Sequence, residues 1–158
     1  MLTVLQRIDD VRKPDAQLVL PYESRCRSRL RAALPDGEVV AILMARGQVL
    51  RGGDLLLADD GRVIEIGAAP ERVSTVQGAE PRQLLRAAYH LGNRHILLQV
   101  GPGWLRYLHD HVLDEMVRGL GLSVLVEEAA FEPEAGAYAG FEAHREHDDG
   151  ATTHHHSP

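Results

Sequence analysis

Between Leu84 and Leu108 the chain reads LLRAAYHLGNRHILLQVGPGWLRYL, and its hydrophobic period changes partway along. Up to Leu91 the apolar residues recur at helical spacing, with Leu84, Ala88 and Leu91 at i, i+4 and i+7. Pro81 suits the first turn of this helix and Gly92 its end. HILLQV then has the content of a strand, GPG turns the chain, and WLRYL returns as another strand. At the corner between helix and hairpin stands a titratable imidazole, His95.

Working outward, DHVLDEMVRGLG predicts a second helix. Asp110 serves as its N-cap, Leu113, Met116, Val117 and Leu120 share one face, and Gly119 and Gly121 end it. LSVLVEEAAF follows as a strand, and upstream RVSTVQ supplies one before the first helix. The order β-α-β-β-α-β is that of the ferredoxin-like arrangement, two helices over one face of a four-stranded antiparallel sheet. It spans residues 70–135.

Ahead of GAAPERVS the periodicity is different. LTVLQRI and QLVL read as strands, ALPDGEVVAILMA as a hairpin around Pro35, Asp36 and Gly37, and RGGDLLLADDGRVIEIG as two more strands. Residues 1–69 are therefore expected to form a small all-β domain, which makes the fold class α+β. SRCRSRLRAAL alternates Arg25, Arg27, Arg29 and Arg31 with Cys26, Ser28, Leu30 and Ala32. As a strand it would show arginines on a solvated face and turn Cys26 inward, or offer the arginines to nucleic acid or an acidic protein. Beyond Pro133 aliphatic side chains larger than alanine vanish, and residues 136–158 are expected to be a disordered, His- and acid-rich tail.

Composition narrows the function. The chain has 158 residues, 44% of them hydrophobic, and a net charge of -6, which suits a folded protein that attracts cations and disfavours one that grips nucleic acid. Its longest apolar run, Val39 to Ala45, is too short to span a bilayer, and its one cysteine, Cys26, cannot form a disulfide within the chain. The expected setting is cytoplasmic, without a membrane partner.

No nucleophile stands beside a base and no glycine-rich phosphate loop is present, so an enzyme is not expected; Glu132 and Glu134 read as a solvated acidic loop. Histidine is the residue with unusual usage, nine in all, five of them in the tail: His144, His147, His154, His155 and His156. Interleaved with Glu142, Glu146, Asp148 and Asp149, these supply imidazole and carboxylate donors for a metal ion. The run of three is short for a purification tag and is preceded by a matching His/acid stretch. His95 also fits a helix C-cap, and His109 and His111 flank Asp110 where the second helix begins. Taken singly, each of these three is equally at home as a surface residue or a satisfied core histidine.

YHLGNRH, LRYLHDHVLDEM and FEPEAGAYA, with the earlier RGGD, closely resemble the UreE family of urease accessory proteins, over nearly the whole chain. The resemblance implies a nickel metallochaperone with a peptide-binding-like N-terminal domain and a ferredoxin-like C-terminal domain that forms a homodimer. It implies that His95 of each subunit meets its twin at the dimer interface to hold Ni2+, and that His109 and His111 form peripheral metal sites. Leu108 stands where relatives often carry a further histidine, which weakens the expected peripheral sites. The implied partners are the urease apoprotein and its accessory proteins, including the assembly GTPase. Cu2+ and Zn2+ favour similar ligands and are expected to bind in vitro. The alternative is a nickel-storage or buffering protein without a dedicated acceptor.

Overall fold

The turn signals of the first half space short apolar runs that pair with one another. The computed structural model describes residues 1–136. Strands β1 (Leu2–Ile8), β2 (Ala16–Leu20), β3 (Arg29–Ala33), β4 (Val39–Leu43), β5 (Leu55–Ala58) and β6 (Val63–Ala68) form a sheet in the order β2-β6-β5-β1-β4-β3. The pairs β1–β4 and β2–β6 are parallel and the others antiparallel. Alternate residues of these strands point the same way, so Val4, Leu18, Val40, Ile42, Leu56, Ile64 and Ile66 collect in one buried cluster. In the β3–β4 hairpin Gly37 adopts φ 89°, a conformation that glycine reaches without a Cβ clash, and its N–H donates to Leu34.

The arginine row divides in two. Pro21 occupies the cap position of a one-turn helix, α1 (Tyr22–Arg25), so the segment begins helical and only later becomes the strand β3. The turn rotates Arg25 into the protein, where it is fully buried, and leaves Cys26 exposed, the opposite of a strand's alternation. Arg29 and Arg31 do lie on an exposed strand face.

The second half forms a separate sheet. β7 (Pro70–Gln77), β8 (Gln99–Gly101), β9 (Trp104–Leu108) and β10 (Ser123–Ala130) pair antiparallel in the order β10-β7-β9-β8. Helix α2 (Pro81–Asn93) follows β7, and α3 (His111–Gly119) follows β9. Ala87 and Leu91 of α2 and Leu113 and Val117 of α3 join Val76, Leu105 and Tyr107 of the sheet in one core. The fully buried stripe of α2 is thus Ala87 and Leu91, with Leu84 and Ala88 packed at its margin. The expected strand HILLQV is shorter than its apolar run. Only Gln99–Gly101 pairs with β9, because Ile96 and Leu98 pack against the core and the Leu98 carbonyl accepts from the Glu134 N–H instead. Among the described residues no helix is long and apolar enough to cross a membrane.

After β10 a short strap, residues 131–134, leaves one edge of this sheet for the other and meets the first sheet on the way. Arg106 donates to the Ala130 carbonyl at 3.1 Å, and the Glu132 N–H donates to the Gln99 side chain at 3.0 Å. Arg25 donates from the other side, to the carbonyls of Leu20 and Leu50 at 3.0 and 3.1 Å and to that of Phe131. Glu132 completes the joint by accepting from the Gly52 N–H at 2.7 Å, with its carboxylate 3.6 Å from Arg25. It is therefore a structural pin, whereas the sequence reading placed it in a solvated loop.

One glycine is fixed by close approach. Gly101 faces Trp104 across the β8–β9 pair, and a Cβ at Gly101 would stand 2.0 Å from the indole. The ring cannot easily yield, because the Arg106 guanidinium sits 4.5 Å from its centroid and is itself tied to Thr75 at 3.0 Å. We expect Gly101→Ala to destabilise the protein by about 1 to 3 kcal/mol, the usual range for overpacking, measured by urea unfolding. An unchanged midpoint would show that the indole moves freely.

Candidate metal-binding site

His95 owes its position to the way α2 ends. Arg94 is the C-cap, and His95 follows with φ 57°, its N–H donating to the Gly92 carbonyl at 3.0 Å. It is the one non-glycine residue with positive φ among the described residues. Left-handed backbone costs an L-residue roughly 1 to 2 kcal/mol, and glycine or asparagine fills this position more cheaply. Capping alone does not account for an imidazole here. The ring is exposed and makes no hydrogen bond among the described residues, so it is free to bind something from outside. The apolar side chains Tyr89 and Leu97 near it in sequence are also exposed, by 71% and 44%.

His109 lies at the end of β9, and its backbone N–H donates to the Arg72 carbonyl at 3.1 Å. Its ring is held as well: Nδ1 lies 3.1 Å from Ser74 Oγ and 3.2 Å from Asp114 Oδ2. Asp114 is only 2% exposed, and its other oxygen accepts from the Tyr107 hydroxyl at 2.6 Å. Burial first, and then the adjacent carboxylate, push the Tyr107 phenol's pKa well above its usual value, so it stays protonated as a donor. Asp110 caps α3 through Oδ1, which accepts from the N–H groups of Val112 at 2.9 Å and Leu113 at 3.3 Å. His111 is the first residue of that helix, exposed and without a ring partner among the described residues.

Ile96 and Leu97, which follow His95 in the chain, share a shallow groove of about 310 Å³ with Tyr107, Leu108, His109, Asp110 and Leu113. Among the described residues, however, no three His, Cys, Asp or Glu side chains are grouped closely enough to enclose an ion. One chain's described residues thus present separate donors. The five tail histidines, His144, His147, His154, His155 and His156, lie outside the described residues. Asp114, Tyr107 and Ser74 escaped the sequence reading. The available signal was an acid next to Leu113 on a helix whose apolar face turns inward, a position where a carboxylate needs a donor.

Comparison with known proteins covers the chain nearly end to end. The family model described as the UreE urease accessory protein N-terminal domain matches residues 2–69, and that for the C-terminal domain matches residues 71–157. A urease accessory protein UreE from Nitrosospira multiformis is 55% identical over 158 residues, covering 100% of this chain and 89% of that protein. One from Alkalilimnicola ehrlichii is 55% identical over 140 residues, 89% of this chain and 86% of its own. Another, from an Enterobacter species, is 52% identical over 139 residues, 87% of this chain and 91% of its own.

Proposed function

The chain belongs to the UreE family of urease accessory proteins, and from that premise we propose that it is a homodimeric nickel metallochaperone, which carries Ni2+ to the urease assembly complex without catalysing a reaction. The observation that carries this reading is His95: an exposed imidazole, without a ring partner among the described residues, kept in left-handed backbone where glycine would be cheaper. A two-fold axis at this corner turns one donor per chain into a pair. Exposed Tyr89 and Leu97 suit burial against a second copy. Two imidazoles leave coordination positions open, which a tail ligand fills during carriage and an acceptor's ligand takes over during transfer.

The rest of the molecule serves that site. Residues 1–69 form the β-rich unit offered to partners, 70–135 a ferredoxin-like unit that dimerises, and 136–158 the tail with its five histidines. The Glu134 N–H bonds to Leu98, three positions from His95, so the chain that bears the tail histidines sets out near the corner. His109 and His111 provide peripheral sites. The partners are the urease apoprotein and its accessory proteins, including the assembly GTPase, in the cytoplasm. Because Cu2+ outcompetes Ni2+ for such donors and Zn2+ shares them, selectivity comes from the partner met.

A buffering protein without an acceptor would place most of its capacity in the tail, and truncation separates the two. Removing residues 144–158 is expected to lower the number of nickel ions bound per dimer while leaving one tight ion for every two chains. Calorimetric titration alongside mass measurement in solution reads both quantities. Loss of all tight binding on truncation would favour the buffer, and a monomer under every condition would rule out the shared site.

A further inference from the structure

We propose that the buried carboxylate of Asp114, itself held by Tyr107, fixes the His109 ring in the Nδ1–H form and leaves Nε2 as its metal-donor atom, which makes Asp114 a positioning residue for nickel. The metal half of this rests on His109 being a ligand; the ring's protonation pattern does not.

Two oxygens face Nδ1, Ser74 Oγ at 3.1 Å and Asp114 Oδ2 at 3.2 Å. A serine hydroxyl can donate or accept, so it leaves the choice open, whereas an ionised carboxylate only accepts. Were Nδ1 to carry its lone pair, that pair would confront the carboxylate oxygen in a region sealed from water, since Ser74 is fully buried and Asp114 nearly so. A proton on Nδ1 removes the conflict and turns the 3.2 Å contact with the carboxylate into an attraction. Tyr107 donates to the opposite oxygen at 2.6 Å, and thereby fixes which oxygen faces the histidine. Every buried polar side-chain atom of this group then has a partner, and only the outward Nε2 is left over, in keeping with the absence of unsatisfied buried side-chain atoms among the described residues. His109 lines a groove shared with Ile96 and Leu97, the two residues that follow His95 in the chain.

The arrangement distinguishes two neighbours that the sequence presents as equals. His109 is anchored through one nitrogen and offers the other, with its ring orientation set before the metal arrives. His111 begins a helix with no ring partner among the described residues, so its ring must be ordered when it binds. A ligand whose second nitrogen donates to a carboxylate is also a stronger base toward the metal. His109 is therefore the leading ligand of the peripheral site, and His111 the adaptable one.

The test is nitrogen-15 NMR of the histidine rings in the full-length protein, first without metal at a pH where the ring is neutral. The wild-type ring of His109 should show its proton on Nδ1. A proton on Nε2 would overturn the proposal without any mutant being needed. In Asp114→Asn the amide oxygen stays with Tyr107 and the NH2 turns to Nδ1, so the proton should move to Nε2. Nickel chloride is then added and broadening of the His109 ring signals is followed. Asp114→Asn should shift its midpoint about 10- to 100-fold to higher concentration, and Tyr107→Phe by less. If nickel leaves the His109 signals of the wild type untouched, the ligand reading fails and the metal half of the proposal with it. An unshifted midpoint in a folded Asp114→Asn protein would sink the positioning role alone.

Discussion

His95→Ala should abolish the tight nickel site, with affinity falling by more than about 100-fold, beyond the 10- to 100-fold typical of losing a metal ligand's hydrogen-bond partner. In a shared site one substitution removes a ligand from both chains at once, so no half-site survives. The same position offers a second measurement that a structural role would not reproduce. His95→Gly should also lose the site, yet raise stability by up to about 1 kcal/mol, because relief of the left-handed backbone at φ 57° exceeds the entropy that glycine adds to the unfolded chain. His95→Ala keeps a Cβ in that backbone and should leave stability nearly unchanged. Calorimetric nickel titration and urea unfolding of the two variants separate these effects. A stabilised glycine variant that still bound nickel tightly would remove His95 from the site, whereas parallel losses of stability and binding would make the residue a structural cap.

What could be seen in advance follows from how local each determinant is. Helix α3 was legible because its periodicity, its Asp110 cap and its terminal Gly119 and Gly121 all fall within a dozen residues and agree. The hairpin at Asp36-Gly37 was legible for the same reason. Arg25 was not, since alternation in SRCRSRLRAAL describes a strand equally well, and what makes it a helical turn is Pro21 before it and a buried socket assembled from Leu20, Leu50 and Phe131. Cys26 was misplaced by the same error of period. The site shows the same contrast. His95 could be picked out by its place at a helix end, but its left-handed backbone depends on how α2 and the following segment pack. Asp114 could not be picked out from its own helix, because its partners, Tyr107 and His109, lie outside it, on and just beyond the preceding strand.

The largest stability loss should come from Arg25. Its guanidinium is fully buried, donates to three main-chain carbonyls and lies 3.6 Å from the Glu132 carboxylate, with the Tyr22 ring 5.6 Å from it. Burial works to pull its pKa down, and Glu132 followed by Glu71 oppose that, as expected of a desolvated charge held by neighbours. Arg25→Met keeps much of the volume but strips the carbonyls of their donor and leaves Glu132 without its cation. Breaking a buried charge arrangement from one side costs about 3 to 5 kcal/mol, a large share of a small protein's stability. Arg25→Lys should recover only part of this, because an ammonium cannot reproduce the planar fork that spans carbonyls from three segments. The damage should also be directional. Arg25 reaches from the first sheet to the strap of the second, so its loss should unlink the two: urea unfolding followed by two probes, one per sheet, should separate into distinct transitions, where the wild type shows one. Amide exchange at Glu132 and Glu134 should accelerate before that of either sheet. A single, unshifted transition in Arg25→Met would mean that the two sheets are held together by packing alone.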